Sequence, residues 1–224
     1  MNIVFAYPTG LNPQKGGVER ITDIIAKILL KRGYTIFYLN WKREQDNYEY
    51  PVPVIDLPSS NLEDPNNLEV YNRFLKENRI DVIINQHGLY EGTYFLSQVK
   101  VQNVKIISVL HSDPFGYYNH LFADLMTLRD SSIKEKVKRV ARFFLYRKVK
   151  KIIHRSLVNH YTFIQEHPQY VCLLSESYKE RLEEYCDLPD NYFISIPNPN
   201  TYENIEIILV NDGSTDSSEK IIQP

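Results

Sequence analysis

Short apolar runs alternate along the chain with longer segments whose apolar residues recur every three or four positions. The runs that have the length of buried strands are 3–7, 35–39, 81–85 and 104–110. Helical spacing marks the segments 18–30, 66–78 and 93–99. This alternation predicts an α/β fold with a Rossmann-like parallel sheet flanked by helices.

The remaining segments give weaker signals of the same kind. Residues 52–56 fit an edge strand, because their prolines exclude a central position in the sheet. The pattern from 119 to 161 is helical, and the runs 170–174 and 192–196 predict two further strands. Between these strands we expect a helix, capped at its start by Ser175 or Ser177.

Two adjacent glycines, Gly16 and Gly17, stand between the first predicted strand and the first predicted helix. Glycine lets the backbone approach a ligand closely, and the free N–H groups of a helix N-terminus attract anions. A phosphate or carboxylate pocket is therefore one interpretation, and a tight turn is the other. The surrounding sequence matches neither the dinucleotide-binding pattern nor a P-loop.

Two histidines also follow predicted strands directly. His87 comes after the strand 81–85, and His111 comes after the strand 104–110. In open parallel sheets, ligands bind at the carboxyl ends of the strands. Since Gly16, Gly17, His87 and His111 all fall at such ends, we expect a ligand site at that edge of the sheet.

Composition narrows the function classes. The chain has 224 residues, 43% of them hydrophobic, and a net charge of −2, so general nucleic-acid affinity is not expected. Cys172 and Cys186 match neither a metal-ligand spacing nor a disulfide framework. Met1 leads into a strand without a signal peptide, and no apolar run could span a membrane. We therefore expect a cytoplasmic protein.

The segment 133–155 combines many lysines and arginines with an apolar stripe at helical spacing. A basic amphipathic helix can lie on an anionic membrane surface, which would place the protein at the inner face of the membrane. A helix whose stripe packs against the core and whose charged face is solvated is the commoner arrangement, and it is the interpretation we favour.

Four short sequences resemble the N-terminal domain of family-4-type glycosyltransferases of the GT-B fold. The resemblance runs from residue 1 to about residue 200, and the third and fourth pieces are the most specific. The pieces are Gly-Gly-Val-Glu-Arg at 16–20, Val-Leu-His at 109–111, Leu-Leu-Ser-Glu-Ser-Tyr-Lys at 173–179 and Ile-Ser-Ile-Pro-Asn-Pro at 194–199.

The resemblance implies an enzyme that transfers a sugar from a nucleotide-sugar donor to a glycan or lipid-linked acceptor in cell-surface polysaccharide synthesis. It implies that this domain holds the acceptor, that Gly16 and Gly17 reach the donor phosphates, and that His111 lies beside the transferred sugar. His87 is the second candidate for that position, although we expect it to line the acceptor side together with Arg20 and Asp113. Enzymes of this type are typically retaining and need no metal or other cofactor.

The chain departs from this family after residue 200. Residues 201–224 resemble instead the start of family-2-type GT-A glycosyltransferases, a strand followed by Asn-Asp-Gly-Ser-Thr-Asp, in which Asp212 would contact the nucleotide base. We therefore predict a domain over 1–200 and a strand-helix fragment over 201–224 that is not a domain of its own. Glu176 and Glu184 match the spacing of the family's paired glutamates only by accident.

Two classes of function remain open. The first is a glycosyltransferase, although this chain alone lacks most of a donor site and is expected to be incomplete and inactive. The second is a non-catalytic module, left by truncation or fusion, that binds an acceptor or a membrane surface. Binding or turnover of a nucleotide sugar distinguishes the two.

Overall fold

The computed structural model describes residues 1–42, 47–88, 91–116, 118–121, 133–167 and 169–196. Strands and helices alternate along this part of the chain. The strands are β1 (Asn2–Tyr7), β2 (Thr35–Asn40), β3 (Val54–Asp56), β4 (Val82–Asn85), β5 (Lys105–Leu110), β6 (Tyr170–Leu173) and β7 (Phe193–Ser195). The α-helices are α1 (Gly17–Lys31), α2 (Pro65–Glu77), α3 (Glu91–Leu96), α4 (Ile133–Glu166) and α5 (Lys179–Leu182), and 3₁₀ turns span Glu176–Tyr178 and Asp190–Tyr192.

The seven strands form one sheet in the order β3-β2-β1-β4-β5-β6-β7, and every pair of neighbours is parallel. The predicted α/β class and the parallel, Rossmann-like sheet are thus confirmed. The proline-containing segment at 52–56 provides β3, which lies at one edge of the sheet as predicted. The opposite edge is β7.

Alternate residues of the central strand β1 enter different cores on the two faces of the sheet. Val4 and Ala6 pack in the cluster that contains residues of α2 and α3. Ile3 and Phe5 pack instead with Ala26 of α1. Since successive strand residues point to opposite faces, α1 covers one face while α2 and α3 cover the other.

Helix α2 shows how local sequence sets an element's limits. Asp64 is its N-cap and accepts a hydrogen bond from the Asn66 amide at 2.9 Å, and Pro65 follows at the first helical position. Tyr71, Phe74 and Leu75 of this helix are buried, and the Tyr71 hydroxyl donates to the Leu96 carbonyl at 2.9 Å. That bond ties α2 to the end of α3.

The long helix α4 is anchored through its second half. Leu157, Tyr161 and Ile164 are at most 3% exposed and pack against β5 and β6. In the first half Val137, Leu145 and Ile152 are 65%, 52% and 58% exposed, so the favoured core-packed interpretation of 133–155 is wrong for these side chains. A helix of 34 residues is about 51 Å long, whereas a six-residue strand spans only about 20 Å.

Other predicted elements differ in detail. The helix expected after residue 175 begins as a 3₁₀ turn, and Ser175 makes no capping hydrogen bond. The Ser175 and Ser177 hydroxyls hydrogen-bond each other at 2.8 Å. The short helix predicted at 93–99 spans Glu91–Leu96 instead. The predicted fragment 201–224 lies outside the described residues.

A chain of buried polar side chains crosses the centre of the sheet. Asn85 donates to the Thr93 hydroxyl at 3.1 Å and to the Ser108 hydroxyl at 3.3 Å. Ser108 donates to Gln169 Oε1 at 2.8 Å, and Gln169 donates to the Ser97 hydroxyl. Each of these groups would be costly to bury alone, and together they satisfy one another while joining β4, β5 and the segment before β6.

Among the described helices, none is long and apolar enough to cross a bilayer.

The fully buried His160 makes stability depend on pH. Burial lowers the pKa of this imidazole to about 4, from an unfolded value near 6.5. The unfolded chain therefore binds a proton first as the pH falls, and the folded state loses stability below about pH 6.5. The expected loss at pH 5 is about 2 kcal/mol relative to pH 7.5.

Urea unfolding of the wild type and His160→Phe at pH 7.5 and pH 5 measures this term. The variant should lose about 2 kcal/mol less than the wild type between the two pH values, whatever its stability at pH 7.5. His120→Phe, at an exposed position, is the control and should keep the wild-type difference. Equal losses in wild type and His160→Phe would contradict the assignment.

Candidate functional site at the strand ends

The strand order reverses direction between β1 and β4. From β1 the chain moves outward to β2 and β3, and it then returns to β4 on the other side of β1. In open α/β sheets the crevice at such a switch point, beyond the carboxyl ends of the strands, is where ligands bind. The residues that follow β1, β4 and β5 are those that the sequence singled out.

His111, directly after β5, is held by Gln86, directly after β4. The His111 Nε2 lies 2.6 Å from Gln86 Oε1. The Gln86 backbone N–H in turn donates to the Ala6 carbonyl at 2.9 Å, and Gln86 as a whole is only 3% exposed. Three neighbouring strands therefore contribute to the placement of one imidazole.

An apolar cavity of about 140 Å³ lies beside this pair. Its walls come from α1 and from the same face of β1, β4, β5 and β6, with Gln86 and His111 at its margin. Ile21 and Ile25 on α1, together with Val109 and Cys172 on the sheet, are among its lining residues. The cavity therefore connects the first turns of α1 with His111.

Burial governs the charge of the His111 imidazole. Desolvation lowers the pKa of His111 below its usual value of 6.5, since the charged form is poorly solvated beside apolar side chains. The ring is therefore neutral at pH 7. A neutral imidazole presents one donor and one acceptor, which suits hydrogen bonding to a hydroxyl.

Close backbone packing brings the segment after β4 against the end of β5. A Cβ on Gly88 would lie 2.5 Å from the Val109 carbonyl oxygen, and the Gly88 N–H donates to that oxygen at 3.3 Å. Only glycine fits this approach without a shift of the backbone. Gly88 thus helps to keep Gln86 within reach of His111.

The two glycines at the start of α1 have different surroundings. A Cβ on Gly16 would collide with the carboxylate of Glu19, which is buried at the N-terminus of the helix and interacts favourably with its dipole. A Cβ on Gly17 would meet nothing within 4 Å, and Gly17 is exposed. Gly17 therefore faces open space, whereas Gly16 lies beside the flexible end of the Glu19 side chain.

His87 lies near the end of β1 but in a different environment from His111. Its ring is 6.3 Å from the Tyr7 ring, and its backbone N–H donates to Asn85 Oδ1 at 3.1 Å. Desolvation lowers the pKa of His87, with opposing smaller effects from Glu91 and Lys42. Its buried Nδ1 has no hydrogen-bond partner among the residues that the structure describes.

The other predicted site residues are placed as follows. Arg20 is exposed on the first turn of α1. Asp113 follows His111 closely, but its carboxylate pairs with Arg181 at 3.1 Å and accepts the Phe115 amide at 2.9 Å. That carboxylate therefore fixes the loop after β5. Asp212 lies outside the described residues.

Sequence reasoning missed the role of Gln86. Gln86 stands directly before His87, which the sequence predicted as the site residue after this strand. The available signal was a polar residue at the first position after a buried strand. Only the register of β4 and β5 reveals that this residue, and not His87, contacts His111.

Metal ligation finds no support in this part of the chain. Within the described ranges there is no group of three or more His, Cys, Asp or Glu side chains that could hold a metal ion. The two thiols, Cys172 and Cys186, are both buried and unpaired by a disulfide. Burial raises the pKa of the Cys186 thiol to about 11.

Comparison with known proteins gives distant structural matches. No protein-family model and no curated protein sequence matches the chain. Among solved structures, WaaG, a glycosyltransferase involved in lipopolysaccharide biosynthesis, aligns at 13% identity with a TM-score of 0.46, covering 87% of this chain and 44% of WaaG. A putative epimerase from Burkholderia cenocepacia J2315 aligns at 13% identity with a TM-score of 0.36, covering 77% of this chain and 52% of the epimerase. The chain thus spans about half the length of these proteins.

Alanine substitutions at Gly88 and Gly17 test the difference in the space around these two residues. Gly88→Ala should lower the free energy of unfolding by about 1–3 kcal/mol, because the new methyl group collides with the Val109 carbonyl. Gly17→Ala should leave it unchanged or raise it by up to about 1 kcal/mol, since space is open and alanine restricts the unfolded chain. Urea denaturation followed by circular dichroism measures both.

Equal stability of the two variants would show that the segment after β4 adapts to a side chain at residue 88. A large loss for Gly17→Ala would show that the start of α1 is more crowded than its geometry indicates.

Proposed function

We propose that the chain is the acceptor-side domain of a glycosyltransferase that uses a nucleotide-sugar donor and a glycan or lipid-linked acceptor. The observation that carries the proposal is the neutral, partly buried His111 held by Gln86 at the switch point, on a cavity shared with α1. The resemblance of the residues around Gly17 and His111 to family-4-type enzymes supports it, together with the parallel sheet.

The proposed roles follow from these surroundings. A donor diphosphate would approach α1 from the side of Gly17, where there is open space and where helix N–H groups favour negative charge. The same groups would stabilise the charge that develops on the departing diphosphate. Because the Glu19 carboxylate lies beside Gly16, the approach that we propose for the anion is from the Gly17 side.

His111 would hydrogen-bond the sugar undergoing transfer. Its low pKa keeps it neutral, so it contributes a hydrogen bond without adding a positive charge beside the developing oxocarbenium character. Arg20 and His87 are the proposed acceptor-side residues. Asp113 would act indirectly, through its bond to Arg181, by holding the loop that follows His111.

Calorimetric titration with UDP, GDP and their common sugar derivatives tests the donor part of the proposal. We expect the wild type to bind one of these nucleotides and Gly17→Leu to bind it at least about tenfold more weakly, because the larger side chain fills the approach to the helix N–H groups. Glu69→Leu, on an exposed position of α2, is the control and should bind as the wild type does.

Absence of nucleotide binding by the folded wild type would contradict the donor role of α1. The second class of function, an acceptor-binding module without turnover, would then be favoured, and titration with glycans and lipid carriers would test it directly.

We further propose that the first half of α4 contacts an anionic membrane surface. Val137, Leu145 and Ile152 are exposed on this helix, and Lys148 and Lys151 are exposed beside them. Exposed apolar side chains flanked by basic residues fit the boundary between lipid headgroups and acyl chains. Such contact would bring a lipid-linked acceptor close to the domain.

Sedimentation with vesicles tests this surface. The wild type should bind vesicles containing phosphatidylserine, and binding should fall as salt rises from 50 to 500 mM. The double variant Leu145→Glu/Ile152→Glu should bind at least about tenfold more weakly, because each buried aliphatic side chain contributes about 1.5–3 kcal/mol. Ile28→Glu, at an exposed apolar position on α1, is the matched control. Equal binding by all three proteins would exclude α4 as the contact.

A further inference from the structure

The bond between His111 and Gln86 has a defined direction. A glutamine Oε1 can only accept a hydrogen bond, and His111 Nε2 lies 2.6 Å from it. With the amide in this orientation the imidazole nitrogen is the donor, and we assign the hydrogen to Nε2. In a neutral ring this leaves the other nitrogen, Nδ1, with a lone pair and no hydrogen.

Within the described residues, the His111 Nδ1 atom makes no hydrogen bond to the protein. Because it is not one of the buried polar atoms without a partner, it is accessible from outside the protein. His111 itself is only partly buried. A hydroxyl group from a ligand in the crevice could therefore donate to this nitrogen without displacing a protein group.

We propose that Gln86 is a positioning residue that holds His111 in the Nε2–H tautomer, so that Nδ1 serves as a hydrogen-bond acceptor for a hydroxyl of the bound sugar. The identity of that hydroxyl rests on the proposed function. The tautomer does not, since it follows from the contact between β4 and β5 alone.

The strand register explains why Gln86 can do this. Asn85 pairs with Ser108, so β4 and β5 end at nearby levels of the sheet, and each is followed by a residue bordering the cavity beside α1. The Gln86 backbone is fixed by its 2.9 Å bond to the Ala6 carbonyl. The apolar cavity provides no competing acceptor for the His111 Nε2–H, because it is lined mainly by aliphatic side chains.

A neutral amide also differs from a carboxylate at this position. A glutamate would attract the imidazolium ion and favour a second proton on the ring. The amide instead stabilises one neutral tautomer without favouring the charged form. Gln86 therefore selects the ring nitrogen that carries the hydrogen, and the apolar cavity disfavours the imidazolium cation.

Nuclear magnetic resonance of the full chain labelled with ¹⁵N tests the proposal without any substrate. Long-range ¹H–¹⁵N spectra distinguish a protonated from an unprotonated ring nitrogen, and His111→Gln assigns the His111 signals by their loss. At pH 7.5 the wild type should show His111 protonated at Nε2 and bare at Nδ1.

Two substitutions of Gln86 give opposite readouts. Gln86→Leu removes the acceptor, so the two tautomers should mix and the Nε2 and Nδ1 shifts should move toward each other. Gln86→Glu should raise the pKa of His111 by about one unit or more, because a carboxylate replaces the neutral oxygen. Gln98→Leu, at an exposed position after α3, is the matched control and should leave both the shifts and the pKa unchanged.

Three results would overturn the inference. They are a wild-type ring protonated at Nδ1, an unchanged tautomer in folded Gln86→Leu, and an unchanged His111 pKa in Gln86→Glu. If Gln86→Leu does not fold, the glutamate variant and the wild-type tautomer still decide. Failure of the proposed function is separate, since it would appear as a lack of nucleotide binding by a wild type that shows the expected tautomer.

Discussion

The parallel register of three central strands is the constraint on which the rest of the site depends. Ala6 pairs with Asn85, and Asn85 pairs with Ser108, so β1 and β4 end at adjacent levels and β5 ends slightly further along, at Leu110. A shift of one residue in either pairing would send alternate side chains to the opposite face. Gln86 would then leave the face on which it meets His111, and the cavity beside α1 would change its lining.

Hydrogen bonds between buried side chains favour this register over a slipped one. A slipped pairing of β4 and β5 would separate the buried Asn85 from Ser108. Unsatisfied buried groups cost about 1–3 kcal/mol each, so the correct pairing is favoured over its neighbours. The same Asn85 also accepts the His87 amide, and so it links the interior of the sheet to the edge that carries the histidines.

The sequence predicted the fold well because the relevant information was local. Apolar runs such as 104–110 have one strong interpretation, and Asp64-Pro65 marks the start of α2 by capping chemistry alone. The site was predicted less completely. That His111 follows β5 could be inferred, but its contact with Gln86 depends on a pairing between segments 25 residues apart. The burial of Glu19 beside Gly16 likewise depends on how a side chain folds back, which no periodicity reveals.

The charged helix α4 shows a different limit of sequence reasoning. Its apolar stripe predicts a contact but does not identify whether the protein core or a membrane provides it. Among the described side chains of α4, those that belong to the core begin near Ile153, and about 20 residues, or about 30 Å of helix, precede that point. If α4 tilts as a rigid body, its anchored part in the core would act as the fulcrum. A tilt of 10° about that fulcrum displaces the far end by about 5 Å, which is close to one helical turn, while the anchored side chains move far less. Such a tilt would let the half of α4 that we propose to contact a membrane follow an uneven surface with little movement of the anchored side chains.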